Sequence, residues 1–409
     1  MYIKRKIESK ILKYLNSPEI IAILGPRQSG KTTVLRRIFE SLNSASFISF
    51  EDREALGMFE KDIENFISAY VKNKRYLFID EFQYARAGGK KLKYIFDSHK
   101  IKIFISGSSS VDLAVNALKY LVGRIFIFNL YPLDFEEFIG YREKGLVTAY
   151  KEMSGGFKAL TPVKIGDDLH AKFARLYEEY AIYGGYPRVV LSKNDEEKKE
   201  VLKNIYNTYF LREVKDILGL IDDYKLEKLL KGLALQIGNL IEYNELGRLS
   251  EYSYPTLKRY INFFEKTFIS KLLPPFYKNK RKEIVKNPKV YFFDCGLRNF
   301  AANDFRRISE RPDGGALLEN AVFQQLIKGE YSFNYWRDKY KNEMDFILNL
   351  EGGKIAALEI KSRLKNPKLE SARNFKKYYP EAEICLLYFN PRGASQDKLG
   401  LKFYPVYAV

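Results

Sequence analysis

One loop decides the fold class of this chain: Gly25-Pro26-Arg27-Gln28-Ser29-Gly30-Lys31-Thr32. The apolar run at residues 19–24 precedes it as a short buried strand, and residues 33–39 continue at helical spacing. A strand, a glycine-bounded loop and a helix N-terminus in this order are the parts of a phosphate-binding P-loop. The sequence therefore predicts an α/β fold on a parallel sheet, with a nucleotide at the loop.

The residue types in this loop suit ATP with Mg²⁺. Backbone N–H groups at Gly25 and Gly30 approach the phosphates, and the helix N-terminus adds its positive end. Lys31 reaches the β and γ phosphates, while the hydroxyl of Thr32 ligates Mg²⁺. We expect the nucleotide to be held by Gly25, Pro26, Arg27, Gln28, Ser29, Gly30, Lys31, Thr32 and Thr33.

An acidic pair ends the next apolar strand, Tyr76-Leu77-Phe78-Ile79-Asp80-Glu81. Asp80 is expected to orient Mg²⁺ and its waters, and Glu81 to polarise the attacking water. The alternative is a plain strand-ending turn. A small-molecule kinase would also need an acceptor pocket, which nothing after the P-loop indicates, so ATP hydrolysis is the predicted reaction.

A third strand is predicted at residues 101–105, followed by Ser106-Gly107-Ser108-Ser109-Ser110 at the edge where ligands bind in open α/β sheets. Here the chain resembles AAA-type ATPases, in which a sensor residue ends the strand after the acidic pair. The resemblance implies Ser108 as the sensor, with Ser106 as second choice. A serine-rich loop without that role is the alternative.

Two further side chains are candidates for reading the γ phosphate. Gln83 follows the acidic pair by two residues, and Arg124 precedes another apolar strand at residues 125–130. An arginine placed by a neighbouring subunit of a homo-oligomer would stabilise transition-state charge. Arg124 is one of 69 basic residues, so the alternative of a solvated side chain stays open.

The middle of the chain, residues 141–225, predicts an insertion and a helical lid on the ATPase sheet. Apolar periodicity lapses from Glu143 to His170, with Ser154-Gly155-Gly156 as the clearest breaker, which indicates an irregular segment. Helical spacing returns from Ala171 to Tyr183, and a long polar-faced helix is expected from Asp195 to about Leu218.

Residues 226–285 predict a winged helix, because three short helices are followed by a β-ribbon pattern. The expected helices cover 226–240, 243–249 and about 254–268. In the third, Leu257, Ile261 and Phe264 share one face. Lys258 and Arg259 point away from that face, where a recognition helix meets DNA. A role in protein contacts is the alternative.

Acidic residues recur in the strand-like runs near the C-terminus. Glu359 and Lys361 alternate along residues 354–361 and therefore share one face. Residues 343–348 start another strand, which pairs across the turn at 351–353 so that Asp345 and Glu359 can share one metal ion. Glu319 is flanked by apolar residues on a predicted helix, where burying a carboxylate without a partner costs free energy. It would complete the acidic set.

This ordered set, Glu319, Asp345 and then Glu359-Ile360-Lys361, resembles the PD-(D/E)XK restriction-endonuclease-like fold. The resemblance implies that the carboxylates bind Mg²⁺ and that Lys361 helps position the hydrolytic water. It assigns residues 286–409 to this domain. The proline common before the aspartate in that superfamily is absent here.

The whole chain resembles a prokaryotic and archaeal family that joins an AAA-type ATPase, here residues 1–140, a winged helix and a nuclease-like domain of unknown function. The remaining markers are Ile79-Asp80-Glu81, Tyr183-Gly184-Gly185-Tyr186-Pro187 and Lys289-Val290-Tyr291-Phe292-Phe293-Asp294-Cys295-Gly296-Leu297. The implied fold class is α/β: an AAA-type P-loop sheet, a helical lid, a winged helix and a restriction-endonuclease-like α/β domain.

The composition of the chain indicates which kinds of partner it can bind. A net charge of +18 and a pI near 9.4 would draw the chain toward polyanions such as nucleic acid, with DNA as the expected partner, although similar composition also occurs in proteins of hot-living organisms. No apolar run is long enough to span a membrane and the N-terminus lacks a signal-peptide pattern, so we expect a cytoplasmic protein. Cys295 and Cys385 are expected to be reduced and buried.

Together these features predict an ATP-hydrolysing protein that acts on DNA, with a metal-dependent nuclease site in its C-terminal domain. The alternative is an ATP-dependent switch or sensor whose C-terminal domain binds DNA or a partner without cleaving it.

Overall fold

The computed structural model describes residues 2–86, 88–107, 118–211, 222–277, 283, 286–363, 369–391 and 400–409. The chain divides into two compact units. The first comprises Met1–Leu133 and Asn262–Ile269, and the second comprises Asp134–Ile261 and Ser270–Val409. Each unit contains a five-stranded sheet.

The first unit is built on parallel strands: β1 (Ile20–Leu24), β2 (Ala45–Ser49), β3 (Tyr76–Asp80), β4 (Lys102–Gly107) and β5 (Ile125–Asn129). They pair in the order β2-β3-β4-β1-β5. The predicted parallel sheet is therefore confirmed. Only β2 lacks a sequence signal, because Ala-Ser-Phe-Ile-Ser is neither a continuous apolar run nor a long alternation.

The helices of the first unit are Lys6–Leu12, Lys31–Glu40, Arg53–Lys61, Ile63–Tyr70 and Gly88–Ser98. The helix Lys31–Glu40 buries Val34, Leu35 and Ile38 on one face, as its spacing predicts. These side chains join Ile21 of β1 in one apolar core. That packing holds the loop between β1 and the helix in a fixed position.

The second unit begins with helices, and here one prediction is wrong. Its first helices are Phe135–Arg142, Val147–Lys158, Asp167–Tyr183, Pro187–Val190 and Asp195–Ile205. The segment predicted to be irregular, residues 143–170, contains the helix Val147–Lys158, with the breaker Ser154-Gly155-Gly156 inside it. Tyr150, Met153 and Phe157 are buried along one face, and their burial outweighs the low helix propensity of the glycines.

The predicted helix that starts at Asp195 is confirmed over the residues that the structure describes. Asp195–Ile205 continues as a π-helical segment, Tyr206–Leu211. The rest of the predicted helix, to Leu218, lies outside the described residues.

Three helices and a β-ribbon follow. The helices are Asp223–Leu235, Tyr243–Ser250 and Tyr254–Lys266, and β6 (Ser270–Leu273) pairs antiparallel with β7 (Lys289–Phe292). Leu257, Ile261 and Phe264 are buried, whereas Lys258 and Arg259 are exposed, as their spacing predicts. These elements match those of a winged helix, and the domain assignment stays a prediction.

The second five-stranded sheet contains β8 (Ser332–Arg337), β9 (Glu343–Asn349), β10 (Ile355–Arg363), β11 (Glu383–Asn390) and β12 (Lys402–Pro405), in the order β12-β11-β10-β9-β8. The strands β9 and β10 pair antiparallel, which confirms the predicted hairpin. The accompanying helices are Cys295–Ala302, Gly314–Lys328 and Glu370–Tyr378. Cys295 and Cys385 are free and buried, as expected.

Two of the marker motifs contact each other within the second unit. Gly184 has a φ of +77°, and a Cβ there would come within 2.1 Å of a carboxylate oxygen of Asp294. The buried Asp294 accepts hydrogen bonds from the N–H groups of Gly185 (2.8 Å) and Leu297 (3.1 Å). The second bond caps the helix Cys295–Ala302. These motifs therefore have a structural role in the described unit.

Within the described ranges, no helix is long and apolar enough to cross a membrane.

Candidate functional sites

The P-loop presents backbone N–H groups at the start of the helix Lys31–Glu40. The N-cap residue is Gly30, which has no side chain to accept hydrogen bonds from the first N–H groups of the helix. Gln28 and Gly30 have φ values of 60° and 97°, so the loop turns back on itself before the helix. Uncapped N–H groups at the positive end of a helix form an anion site.

Close packing explains the glycine at position 25. A Cβ on Gly25 would come within 2.1 Å of the carbonyl oxygen of Leu130, which follows β5. The N–H of Leu130 in turn donates to the carbonyl of Leu24 at 2.6 Å. The sheet therefore holds the start of the loop in place, and only glycine permits this approach.

The loop lysine lies across the loop backbone. Lys31 is buried, and its Nζ donates to the carbonyl oxygens of Gly25 (3.1 Å) and Pro26 (3.0 Å). The hydroxyl of Ser29 is buried and has no hydrogen-bond partner in the described part of the chain. An ammonium group, an unpartnered hydroxyl and uncapped N–H groups together fit the triphosphate of a nucleotide.

The predicted acidic pair lies beside one of the two candidate sensors. Asp80 is buried at the end of β3 and accepts a hydrogen bond from the hydroxyl of Ser106. The same hydroxyl accepts from the N–H of Glu81 at 3.3 Å. Glu81 has a φ of 53°, a strained conformation for this residue type that is typical of functional positions, and its carboxylate accepts from Nε2 of Gln83.

The structure thus brings Asp80, Glu81, Gln83 and Ser106 together at the carboxyl edge of the sheet. Gln83 contacts Glu81, so it is placed to orient that carboxylate. Ser108, the first choice for the sensor, lies outside the described residues.

Arg124 lies at the opposite edge of the same sheet. Its carbonyl accepts from the N–H of Ile20, at the start of β1, whereas the P-loop follows the end of β1. Its guanidinium forms a partly exposed ion pair with Asp97, with Nε 3.0 Å from Oδ1. This position argues against contact with a nucleotide on the same chain, and a role at a neighbouring subunit stays a prediction.

Sequence reasoning did not identify Arg5 as part of this site. Its guanidinium is buried and donates to the carbonyl oxygens of Ser29 (2.7 Å) and Tyr131 (2.6 Å). It therefore fixes the middle of the P-loop to the segment after β5. The only signal would have been its place near the start of an amphipathic run, which many of the 69 basic residues share.

The donor set at this edge fits Mg²⁺ bound together with a nucleotide. Thr32, half-buried in the first turn of its helix, and the buried Asp80 offer the hydroxyl and carboxylate oxygens that Mg²⁺ prefers. Ser29 adds the unpartnered hydroxyl described above.

In the second unit, the hairpin brings Asp345 and Glu359 to neighbouring strands, β9 and β10. Leu358 pairs with Phe346, and one residue further along the antiparallel strands Glu359 lies opposite Asp345. Asp345 Oδ2 accepts from the N–H of Ile360 at 2.7 Å. Lys361 and Glu359 lie on one face, as predicted, with Nζ 2.5 Å from Oε1.

A buried lysine, Lys289, lies among the acidic side chains. Its side chain is 1% exposed, and its Nζ lies 3.0 Å from Oε1 of Glu319 and 2.5 Å from Oε1 of Glu343. Tyr291, two residues further along β7, donates its hydroxyl to Glu319. Glu319 therefore has two partners inside the protein, which meets the need for a partner that its apolar surroundings predict.

Burial shifts the pKa values of these acidic side chains and of Lys289. It raises the pKa of Asp345 and of Glu359, against the opposing attraction of nearby lysines. It also raises the pKa of Glu319 to about 7, although Lys289 opposes the shift. Burial alone would lower the pKa of Lys289, but the surrounding carboxylates, first that of Glu319, outweigh it and raise this pKa.

The pair Asp345 and Glu359 fits a divalent cation, whereas Glu319 is bonded within the protein. Glu359 Oε2 is buried and has no hydrogen-bond partner among the described residues. An unpartnered buried carboxylate oxygen beside a second carboxylate favours a cation. Across the described ranges, however, no group of three or more histidine, cysteine or acidic side chains is arranged to hold a metal ion. Asp345 and Glu359 are thus the candidate ligands, and Glu319 bonds to Lys289 and Tyr291.

Three members of this group were not predicted: Lys289, Tyr291 and Glu343. A signal was present, because Lys289 and Tyr291 alternate along one strand and Glu343 and Asp345 along another. Strand alternation shows which residues share a face, but it does not show which strands bring those faces together.

Comparison with protein-family models supports the first site. A model described as an AAA domain matches residues 17–139. Two models described as domains of unknown function, DUF8612 and DUF4143, match residues 174–307 and 314–407. The match over the C-terminal sheet carries no assigned activity, so the nuclease-like resemblance stays a prediction.

Individual relatives extend the likeness over most of the chain. An uncharacterized protein of Methanocaldococcus jannaschii is 27% identical over 362 residues, covering 85% of this chain and 75% of its own length. An uncharacterized protein of Haemophilus influenzae is 26% identical over 363 residues, covering 83% and 81%.

Among solved structures, the Walker-type ATPase of Pyrococcus abyssi is 16% identical, with 73% of this chain and 96% of that chain covered and a TM-score of 0.45. The assignment of the first site to nucleotide binding rests on the match to the AAA model and on the geometry of the P-loop and of Asp80 and Glu81. Residues 17–139 therefore match an AAA domain and have the geometry of a P-loop, and this match supports ATP binding and hydrolysis.

Proposed function

We propose that this protein couples ATP hydrolysis to an action on DNA, and that its C-terminal carboxylate site cleaves phosphodiester bonds with a divalent metal ion. The observation that carries the proposal is the buried, unpartnered Oε2 of Glu359, next to Asp345 in the register and on the same face as Lys361. A DNA substrate agrees with the net charge of +18.

In the ATPase domain, different residues bind the phosphates, bind Mg²⁺ and activate the attacking water. Lys31 and the uncapped N–H groups hold the phosphates, while Thr32 and Asp80 hold Mg²⁺. Glu81 polarises the attacking water, and Gln83 orients the Glu81 carboxylate through their hydrogen bond. Ser106 keeps Asp80 in position.

In the C-terminal site, Asp345 and Glu359 would hold a divalent cation. A bound divalent ion would supply a Lewis acid and a water of lowered pKa. The N–H of Ile360 holds one oxygen of Asp345 and so fixes the carboxylate that would bind the cation. Lys361 offsets the charge of Glu359 and, as the resemblance implies, helps to position the water.

A second candidate is a switch or sensor that binds DNA or a partner without cutting. The observation that favours it is Lys289, because a buried ammonium already offsets part of the carboxylate charge. In this reading, the acidic group is a structural element of the C-terminal unit, and the ATPase domain alone is catalytic.

A cleavage assay on the full chain tests the proposal. Labelled DNA is incubated with ATP and Mg²⁺ or Mn²⁺, and the wild type is compared with Asp345→Asn, Glu359→Gln and Lys31→Ala. We expect metal-dependent cleavage by the wild type, none by the two carboxylate variants, and loss of the ATP dependence in Lys31→Ala. Equal cleavage by the wild type and Asp345→Asn would exclude this site, and no cleavage by any protein would favour the switch.

A further inference from the structure

A cleft of about 1050 Å³ opens beside the carboxylate group in the second unit. Its lining includes Tyr277, Lys286, Trp336, Arg337, Lys339 and Tyr378. The cleft combines aromatic rings with basic side chains, and the proposed function assigns it no role.

One wall of the cleft is aromatic and firmly packed. Trp336 is buried, and its ring packs edge-on against Phe375 with centroids 5.0 Å apart. Tyr379 stacks on the same Phe375 at 4.7 Å. Tyr378 lies 5.9 Å from Trp336 and is 47% exposed, so the wall offers an accessible ring on a rigid support.

The remaining lining includes three basic side chains and one acidic side chain. Lys286 and Lys339 are exposed, and Arg337 is half-buried. Asp338 is the acidic residue among the described lining residues, and its carboxylate accepts hydrogen bonds from the N–H and the amide of Asn342. The cleft therefore favours an anionic ligand.

A chain of charged contacts joins the cleft to Glu343 and Glu319 of the acidic group. Arg337 Nε lies 3.8 Å from Oε2 of Glu343, and Glu343 contacts Lys289, which contacts Glu319. Lys289 also lies 5.6 Å from the ring centroid of Tyr335, another lining residue. A ligand at Arg337 would thus lie near Glu343, which is on the same strand as Asp345 and two residues before it.

We propose that this cleft binds single-stranded nucleic acid, with a base stacked on Tyr378 and phosphates next to Lys286, Arg337 and Lys339. Stacking on an exposed ring requires an unpaired base, since the bases of a duplex already stack on each other. Basic side chains beside an aromatic ring are the features by which proteins hold single strands without reading sequence. The inference rests on the proposed function, because it names the form of nucleic acid that the carboxylates would meet.

The chain contains a single tryptophan, Trp336, which makes the cleft observable without a label. Full-length protein in EDTA and without nucleotide is titrated with short oligothymidylate, while tryptophan emission is recorded. Affinity is measured separately by the anisotropy of a labelled oligonucleotide. We expect saturable binding that changes the Trp336 emission and weakens as salt is raised.

Variants locate the binding. Tyr378→Ala should weaken binding at least about fivefold, whereas Tyr378→Phe, which keeps the ring, should bind as the wild type does. The matched control is Tyr94→Ala in the first unit, because Tyr94 is 46% exposed. Lys286→Ala with Lys339→Ala should lower the salt slope by about 0.7 for each phosphate that these lysines neutralise, and Lys144→Ala with Lys158→Ala should leave it unchanged.

Three results would overturn the inference. Tyr378→Ala would bind like Tyr94→Ala, Tyr378→Ala would weaken the binding of a duplex of equal length as much as that of the single strand, or polyglutamate would compete as well as oligothymidylate. Binding without metal is independent of cleavage. A protein that binds single strands through Tyr378 but never cleaves would refute only the proposed nuclease activity, and a protein that cleaves but fails the Tyr378 test would refute only this inference.

Discussion

The ammonium of Lys289 lies 3.0 Å from a carboxylate oxygen of Glu319, and the two side chains are 1% and 13% exposed. Lys289 comes from the β-ribbon, and Glu319 comes from the helix Gly314–Lys328. Glu343 on β9 contacts the same ammonium. One lysine therefore links three elements of the C-terminal unit, and the charge that it supplies decides how strongly the acidic group needs a cation.

We predict that Lys289→Met lowers the free energy of unfolding by about 3–5 kcal/mol at neutral pH, because it leaves the buried carboxylates without their ammonium. Denaturant unfolding measures the change. Lys286→Met, at an exposed lysine three residues away, should change stability by less than about 0.5 kcal/mol. Adding Glu319→Gln to Lys289→Met should recover part of the loss. A single variant as stable as the wild type would show that Lys289 does not offset the carboxylates.

Substitutions in the ATPase domain should separate binding from hydrolysis. Lys31→Ala should reduce ATP turnover at least about 100-fold, because no other described loop side chain places an ammonium beside the phosphates. Glu81→Gln should keep ATP bound but hydrolyse it slowly, since its carboxylate acts on the water. Nucleotide-binding titrations and steady-state turnover distinguish the two. Equal loss of binding in both variants would contradict these roles.

The acid sensitivity of the second unit should depend on His170. Its Nε2 lies 3.1 Å from the carbonyl oxygen of Phe389, its Nδ1 lies 2.6 Å from the hydroxyl of Tyr407, and burial lowers its pKa below the ordinary value. Between the folded and unfolded pKa values, the unfolded chain binds more protons. The free energy of unfolding should therefore fall as the pH drops below about 6.5.

The comparison variant is His170→Gln, whose amide can donate to Phe389 and accept from Tyr407 without titrating. Denaturant unfolding at neutral and mildly acidic pH should show a smaller loss for the variant than for the wild type. An equal loss in both proteins would assign the acid sensitivity to other groups.

The three-helix segment should contribute to duplex DNA binding if it is a winged helix. Lys258 and Arg259 are exposed on its third helix, opposite the buried Leu257 and Ile261. Replacing both with alanine should reduce the slope of log affinity against log salt by about 0.9 for each phosphate that the two side chains neutralise. Fluorescence anisotropy with a labelled duplex at several salt concentrations measures this slope. An unchanged slope would favour the protein-contact reading of this segment.

Much of the fold was predictable because its signals are local. The P-loop, the strand that ends at Asp80 and the hairpin of β9 and β10 each follow from the periodicity of a few residues. The irregular segment predicted at residues 143–170 was wrong because burial of Tyr150, Met153 and Phe157 outweighs a glycine pair. Local propensity is a weak guide wherever tertiary packing decides.

The sites show the same division. Asp80, Glu81, Asp345 and Glu359 were predictable, because each ends or alternates along an apolar strand. Arg5 and Lys289 were not, because their partners lie 24 and 30 residues away along the chain. The sequence does not show which of the 69 basic residues has a distant partner of this kind.

Asp345 and Glu359 are proposed to bind a divalent metal ion, and such binding should make the thermal stability of the protein depend on metal. Unfolding of the nucleotide-free full chain is recorded with EDTA, Mg²⁺ or Mn²⁺ for the wild type, Asp345→Asn and Asp80→Asn, where the last variant controls for metal at the P-loop. We predict that metal raises the Tm of the wild type and of Asp80→Asn but not of Asp345→Asn. An equal rise in all three proteins, or no rise in any, would contradict a metal site at Asp345 and Glu359.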